Sequence, residues 1–220
     1  MCSDYKSFKG AKDIKKLMKE LGIDVGYDGR FPEERYDEII GESKRITDDI
    51  LTIKLKEQDP VFSIMGWSIN WNAKQPIFNS RIETIKSEKR WTDIFRNARC
   101  LIPADAFYEF RPFENDPPET VKYKKERKIK RKTKFEISIP DEPGFVIGGI
   151  YIYNNGAEFC SMITTEAHKD LKQIPHHRCP YLMNYRDALE FLHADADYLL
   201  DNIKHYPDDK HLEIKQVSEI

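Results

Sequence analysis

Apolar residues recur at Ile14, Leu17, Met18 and Leu21, the i, i+3, i+4, i+7 spacing that gives a helix one apolar face, and Gly22 follows where such a helix would stop. The pattern predicts a helix over residues 11–21. Alternation at Leu51, Ile53 and Leu55, and again at Phe135, Ile137 and Ile139, predicts half-buried strands. Val61 to Met65, Phe145 to Tyr153 and Phe159 to Thr164 are more continuously apolar and β-branched or aromatic, as buried strands are. Trp91, Ile94, Phe95 and Ala98 mark a short helix, and Tyr185 to Ile203 a longer helical region. Strands and helices interleave without the even spacing of a doubly wound sheet, so the fold class is α+β with a strongly bent or barrel-like sheet. No internal repeat is visible, and 220 residues suit a single domain over 1–220.

Composition narrows the function classes. The chain carries 36 Lys and Arg against 38 Asp and Glu, so any attraction for nucleic acid has to be local rather than global. One local source is clear. Residues 121–134 hold nine basic side chains, among them Lys124 and Lys128, against the single acid Glu126, and they follow the turn-forming run Asn115-Asp116-Pro117-Pro118. This insertion, about 116–134, is either a solvated hairpin or loop or a phosphate-binding element. The four cysteines, Cys2, Cys100, Cys160 and Cys179, form neither a CxxC pair nor a dense disulfide framework. They suggest a reducing compartment. No apolar stretch is long enough to span a bilayer as a helix, so the expectation is a cytoplasmic protein, nucleoid-associated when on DNA, with no membrane partner.

Four places hold residues with chemistry. Removal of Met1 would leave Cys2 with an α-amine and a thiol two carbons apart, a 1,2-aminothiol. With ordinary pKa values of about 7.7–8.0 for the amine and about 8.5 for the thiol, part of the amine is a free nucleophile near neutral pH. An aldehyde would be attacked by the amine to give an imine, and the thiol would close it to a thiazolidine. An extended backbone through Phe78-Asn79-Ser80-Arg81 puts the Asn79 amide and the Arg81 guanidinium on one face. In Cys100 to Phe110 alternation places Glu109 beside Phe107, in apolar surroundings where a carboxyl would resist ionisation and serve as both acid and base. Pro175-His176-His177-Arg178 sets two imidazoles beside a guanidinium, without the spaced His or Cys partners of a metal site.

These segments, taken together, resemble the SRAP domain, the SOS response-associated peptidase family. The resemblance rests on Met1-Cys2, on Asn79-x-Arg81-x-Glu83-Thr84, and on Arg99-Cys100-Leu101-Ile102-Pro103-Ala104-Asp105-x-Phe107-Tyr108-Glu109. It continues in Ile163-Thr164-Thr165-Glu166-Ala167 and His176-x-Arg178-x-Pro180, all in order from residue 1 to about 183. It implies a mainly antiparallel, barrel-like sheet with flanking helices. It also implies a monomer that captures abasic sites in single-stranded DNA through its N-terminal cysteine, with no metal and no diffusible cofactor. By motif position Cys2 is the nucleophile, Asn79 positions it and the sugar, Glu109 handles protons, and His176 assists opening of the deoxyribose ring. Arg81 and Arg178 match positions that hold flanking phosphates, with Thr164 adding a hydrogen bond. The resemblance further implies autoproteolytic removal of Met1 and β-elimination at the abasic site.

The sequence departs from the family pattern in several places, among them a Tyr-Asn-x-x-Pro segment with no clear counterpart around Glu34 to Ser43. Ser3-Asp4 follows Cys2 where the family has Gly-Arg, the tryptophan block is reduced to Met65-Gly66-Trp67-Ser68-Ile69-Asn70-Trp71, and Pro175 is an insertion that leaves His177 as an alternative to His176. Within the resemblance the basic insertion, with Lys124 and Lys128, becomes a DNA-facing element. Trp71, Trp67 and Phe110 are candidates to stack on bases. Two other functions compete: a Cys-dependent peptidase or hydrolase using Cys2, His176 and Glu109, and a non-enzymatic single-strand-binding module.

Overall fold

The computed structural model describes residues 4–7, 10–41, 43–70, 76–111, 115–127, 132–174, 176–203 and 205–217. The expectations placed on Cys2, Trp71 and Lys128 lie outside these residues.

Five strands close on themselves. β4 (Asp49–Lys56) pairs with β5 (Asp59–Trp67) and with β7 (Arg99–Arg111), β7 with β9 (Phe145–Asn154), β9 with β10 (Ala157–Glu166), and β10 with β5. All of these contacts are antiparallel except β10–β5, which is parallel. Closure leaves these strands no free edge along the ring. Alternation then sorts side chains to the two sides of the wall. Ile50, Met65, Trp67, Cys100, Ile102, Ile147, Cys160 and Met162 fill the interior. One step along each strand, Leu51, Ile53, Phe62, Ile64, Leu101 and Ile163 face outward against a second core made with the helices.

The helices follow from local signals. α1 (Ala11–Glu20) buries Ala11, Ile14 and Met18. It ends as the sequence indicates: Gly22, at φ +79°, donates to Lys19, and Ile23 donates back to Met18, so two orphan carbonyls are satisfied by a left-handed glycine. α3 (Ile82–Ser87) and α4 (Lys89–Asn97) pack beside α6 (Tyr185–His193) and α7 (Ala196–Asn202) on the outer core. The long helix expected over 185–203 is two helices. Asn184 caps the first by accepting from Asp187 N–H, and Asp195 caps the second by accepting from Tyr198 N–H, which breaks the helix between them. α2 (Glu33–Glu38) was not apparent in the periodicity; its only buried side chain is Tyr36.

Three further strands extend the barrel at one end. β7 is 13 residues long, and at Pro103, which has no N–H to give, its partner on one side changes from β4 to β1 (Asp4–Ser7). Its far half then pairs with β8 (Thr133–Ser138), Glu109 opposite Phe135. β7 therefore carries the Phe107-Tyr108-Glu109 segment out of the ring into a small outer sheet. β1 lies antiparallel on it with Tyr5 opposite Phe107, and β3 (Lys44–Arg45) covers β1 in turn. Tyr5 is fully buried and meets Trp67 edge-on at 5.2 Å between ring centroids, an aromatic contact of about 1 kcal/mol that pins the start of the chain to the barrel.

Candidate active site

The end of the barrel marked by Trp67 gathers most of the residues that the sequence singled out. β6 (Asn79–Arg81) lies parallel to β10 with Asn79 opposite Met162 and Arg81 opposite Thr164. On the other side of β10 runs β11 (Arg178–Pro180), with Pro180 also opposite Thr164. Thr164, 1% exposed, therefore sits between Arg81 and Pro180, and the Arg178 side chain reaches back to its carbonyl. Asn79 is half-buried and its Oδ1 is inaccessible, while Ser80 turns inward to bond Ser161 at 2.8 Å, so alternation does set Asn79 and Arg81 on one face. Phe78, the preceding residue, accepts a hydrogen bond from the Trp67 indole at 3.1 Å. Trp67 is thus a core residue and not a base wedge.

Glu109 is 1% exposed, and its Oε2 lies 2.8 Å from Nε2 of His176. The other ring nitrogen of His176, Nδ1, lies 2.9 Å from the Arg178 carbonyl. A carbonyl only accepts, so Nδ1 carries a proton, and the contact between Nε2 and Oε2 shares one further proton between base and acid. The alternative histidine, His177, is exposed, and its backbone carbonyl accepts from Ala167 N–H. His176 is the one aimed at Glu109.

Residues around this pair hold it still. Arg178 makes two parallel hydrogen bonds to Glu83, at 2.9 and 3.0 Å, and one of 2.5 Å to the Thr164 carbonyl. The hydrogen bond from Arg178 holds the Glu83 carboxyl below the usual range. Arg178 was expected to meet a phosphate; instead its terminal nitrogens are occupied, and it braces the segment that bears His176. Arg81 is exposed. Arg111 was not singled out by the sequence. Its guanidinium stacks 4.6 Å over Phe135, the cross-strand partner of Glu109, and reaches the Gln173 carbonyl at 3.3 Å, so it ties the approach to His176 onto β7. Nothing local in the sequence shows that the chain returns to Arg111 62 residues later.

The basic insertion is partly a helix, α5 (Pro118–Glu126), which starts with Pro118 in the first turn, where a missing N–H costs nothing. The reading of this stretch as a hairpin or loop missed that use of proline. Lys124, expected to face DNA, is 2% exposed; its ammonium lies 2.7 Å from Asp116 and 2.7 Å from Thr133. It is the buried anchor of α5, while Lys122 and Lys125 on the helix and Arg127 at its C-terminal cap are exposed. Lys124→Ala removes the nearest cation from the buried Asp116 carboxylate, leaving Arg111 at 3.9 Å, and is expected to cost about 3 kcal/mol of stability. Thermal melting checks this, and the paired Asp116→Asn/Lys124→Met variant should recover most of the loss.

The three described cysteines are buried. Burial and a hydrogen bond with Cys160 push the Cys100 thiol well up, and burial together with the Glu109 carboxylate does the same to Cys179. Both are inert thiols at neutral pH.

The family model of the SOS response associated peptidase (SRAP) matches residues 1–220. The chain belongs to the SRAP family. Among its relatives, the abasic site processing proteins YoqW and YoaM of Bacillus subtilis are each 27% identical over 165 residues, 71% of this chain and 66% of theirs. The chain thus aligns with slightly less than two thirds of those relatives' length. Crystal structures of a protein from Bordetella bronchiseptica and one from Bacteroides thetaiotaomicron each superpose with a TM-score of 0.70 at 16% identity. They cover 99% of this chain and 100% and 92% of their own. This SRAP chain therefore has the α+β barrel architecture of those proteins, and its family relatives are named for abasic-site processing.

Proposed function

We propose that this protein captures abasic sites in single-stranded DNA as a thiazolidine on Cys2, with Glu109 and His176 moving the protons. The observation that carries the reading is the buried Glu109–His176 contact of 2.8 Å, two strand positions beyond the point where β1 lays Tyr5 against Phe107. Cys2 lies three residues before Tyr5, so chain length alone keeps it within about 11 Å of that register.

A ring-opened abasic deoxyribose carries an aldehyde at C1. The amine lone pair of Cys2 adds to that carbon, and the oxygen takes a proton to give a carbinolamine. The hydroxyl leaves as water when the Glu109–His176 pair supplies a proton, forming the imine. The Cys2 sulfur then bonds the same carbon, and its proton passes to the nitrogen. One water is lost overall. Ring opening itself requires a proton on the ring oxygen and removal of one from the C1 hydroxyl, the double duty that an imidazole and a carboxyl sharing a proton can perform. Asn79 would orient the sugar, and Arg81 would meet a flanking phosphate. The exposed cations of α5 would follow the strand. Removal of Met1, by the chain itself in this reading, precedes all of these steps because an acylated nitrogen is not a nucleophile. A carboxyl and imidazole so placed would also serve β-elimination from the imine.

The test is intact mass before and after mixing with an abasic oligonucleotide. The expected result is a starting mass lacking Met1 and a product equal to protein plus DNA minus one water. A product that retains full length but forms only a borohydride-dependent link would point to a plain imine and sink the thiazolidine.

A further inference from the structure

Glu83 stands in the first turn of α3, where its carboxyl accepts its own backbone N–H and takes the two arms of the Arg178 guanidinium, at 2.9 and 3.0 Å. The partners are unequally covered: the Glu83 side chain is 55% exposed and that of Arg178 15%. An ion pair open to water on one side adds little to stability, and what this one fixes is direction. One arm of Arg178 also donates to the Thr164 carbonyl at 2.5 Å and lies 3.3 Å from the Thr164 hydroxyl, so α3 and β10 grip a single guanidinium from two sides. The carbonyl of the same arginine accepts from His176 Nδ1 at 2.9 Å, and His176 Nε2 lies 2.8 Å from Glu109. Held at its side chain, Arg178 presents a fixed carbonyl to the imidazole. Glu83 itself borders a cavity of about 220 Å³ shared with Lys86, Thr165, Glu166 and His205, so truncating it removes hydrogen bonds without hollowing the core.

We propose that Glu83 is a positioning residue: by clamping the Arg178 guanidinium it fixes the carbonyl that keeps a proton on His176 Nδ1 and turns Nε2 to Glu109. The inference rests on the abasic-site reading for the reaction that the Glu109–His176 pair serves, and on the contacts alone for the geometry. While Nδ1 donates to a fixed carbonyl, Nε2 is the nitrogen left to exchange a proton with the carboxyl. Without Glu83 the Arg178 side chain keeps only Thr164, the segment bearing its carbonyl gains freedom, and the ring loses its aim. A misplacement of about 1 Å at a reacting group can cost about a hundredfold in rate, even when the substitution lies away from the chemistry.

The test compares wild type with Glu83→Ala, Glu83→Gln, Arg178→Lys and the double variant Glu83→Ala/Arg178→Lys. The first readout is the His176 Nδ1–H signal in proton–nitrogen NMR of the protein alone, assigned by its loss in His176→Gln. The buried Trp67 indole N–H, bonded to the Phe78 carbonyl, is the control for the fold around it. The His176 signal should be sharp in wild type and lost to solvent exchange in Glu83→Ala and Arg178→Lys, while the Trp67 signal and the melting temperature hold. A lysine has no planar fork with which to grip Glu83 through two parallel bonds. The second readout is the single-turnover rate with a saturating abasic oligonucleotide. Glu83→Ala should slow it by about ten- to a hundredfold. Glu83→Gln, which keeps one acceptor for the fork, should lose less, and the double variant no more than the worse single one, because both substitutions break the same link. A His176 signal or an adduct rate unchanged in Glu83→Ala overturns the proposal. So does tighter binding of the strand with signal and rate intact, which would make Glu83 a stand-in for a phosphate on Arg178. A merely structural role would lower the melting temperature and disturb Trp67 along with His176, and that too overturns it. If the His176 signal responds as expected while wild type itself forms no adduct, the positioning stands and the abasic-site reading fails instead.

Discussion

Cys2→Ala is expected to abolish the heat-stable adduct with abasic single-stranded DNA altogether. The substitution leaves an α-amine, so a transient imine still forms, but no sulfur remains to close the ring and the link hydrolyses on heating. Cys2→Ser should behave the same way, because a hydroxyl is a poor nucleophile at its ordinary pKa. Cys100 and Cys179 give no rescue: burial keeps their thiols protonated inside the fold. Denaturing gel electrophoresis after heating reads the result directly. An alanine variant that crosslinks as well as wild type would remove Cys2 from the mechanism, and salt-sensitive binding unchanged by the substitution would then favour a simple single-strand-binding module.

Glu109→Gln is expected to slow adduct formation by about a hundredfold or more, within the 10²–10⁴ range typical of a positioned general acid–base group. Glutamine keeps the size of the side chain and a hydrogen-bonding oxygen beside His176 Nε2, so the pocket is preserved and the change falls on proton transfer. It cannot supply the proton that the departing hydroxyl of the carbinolamine needs. Single-turnover rates at saturating oligonucleotide separate this from binding, which should hold within a few-fold. His176→Ala should lose rate too, because Glu109 would then sit buried without its proton-sharing partner. A glutamine variant within about threefold of wild type would show that the carboxyl is structural.

The two substitutions probe residues whose chemistry was legible from sequence to different degrees. Glu109 was visible as a carboxyl on the Phe107 face of an alternating strand, and the strand exists with that alternation. What alternation could not supply was its partner. His176 lies on a segment 67 positions further along, and adjacent His177 stood as an alternative until the backbone hydrogen bond of Nδ1 to Arg178 aimed one ring and left the other exposed. Arg178 shows the same limit from the other side. Its motif position suggested a phosphate, but Glu83, which lies in the Asn79–Thr84 motif block, is delivered to its guanidinium by α3.

Lys124 is the plainest lesson. Within a run of nine cations nothing in the local sequence separates the buried one from its neighbours, because the difference is made by Asp116 and Thr133 arriving from either side. Likewise, Asp4 looked like an acid in place of a base, and only the strand order β1–β7–β8 supplies Lys134 to balance it.

The sequence by itself determined the strands of the barrel, the first helix with its glycine stop, the family, and the residue types able to do carbonyl chemistry. Those properties depend on period, on turn residues and on functional groups, all carried by neighbours within a few positions. Tertiary structure decided which histidine meets Glu109, which cations are spent on internal carboxylates, and how charge is balanced near the start of the chain. Ion pairs and shared protons depend on separations of about 3 Å, and only closure of the barrel and its outer sheet brings residues tens of positions apart to that distance.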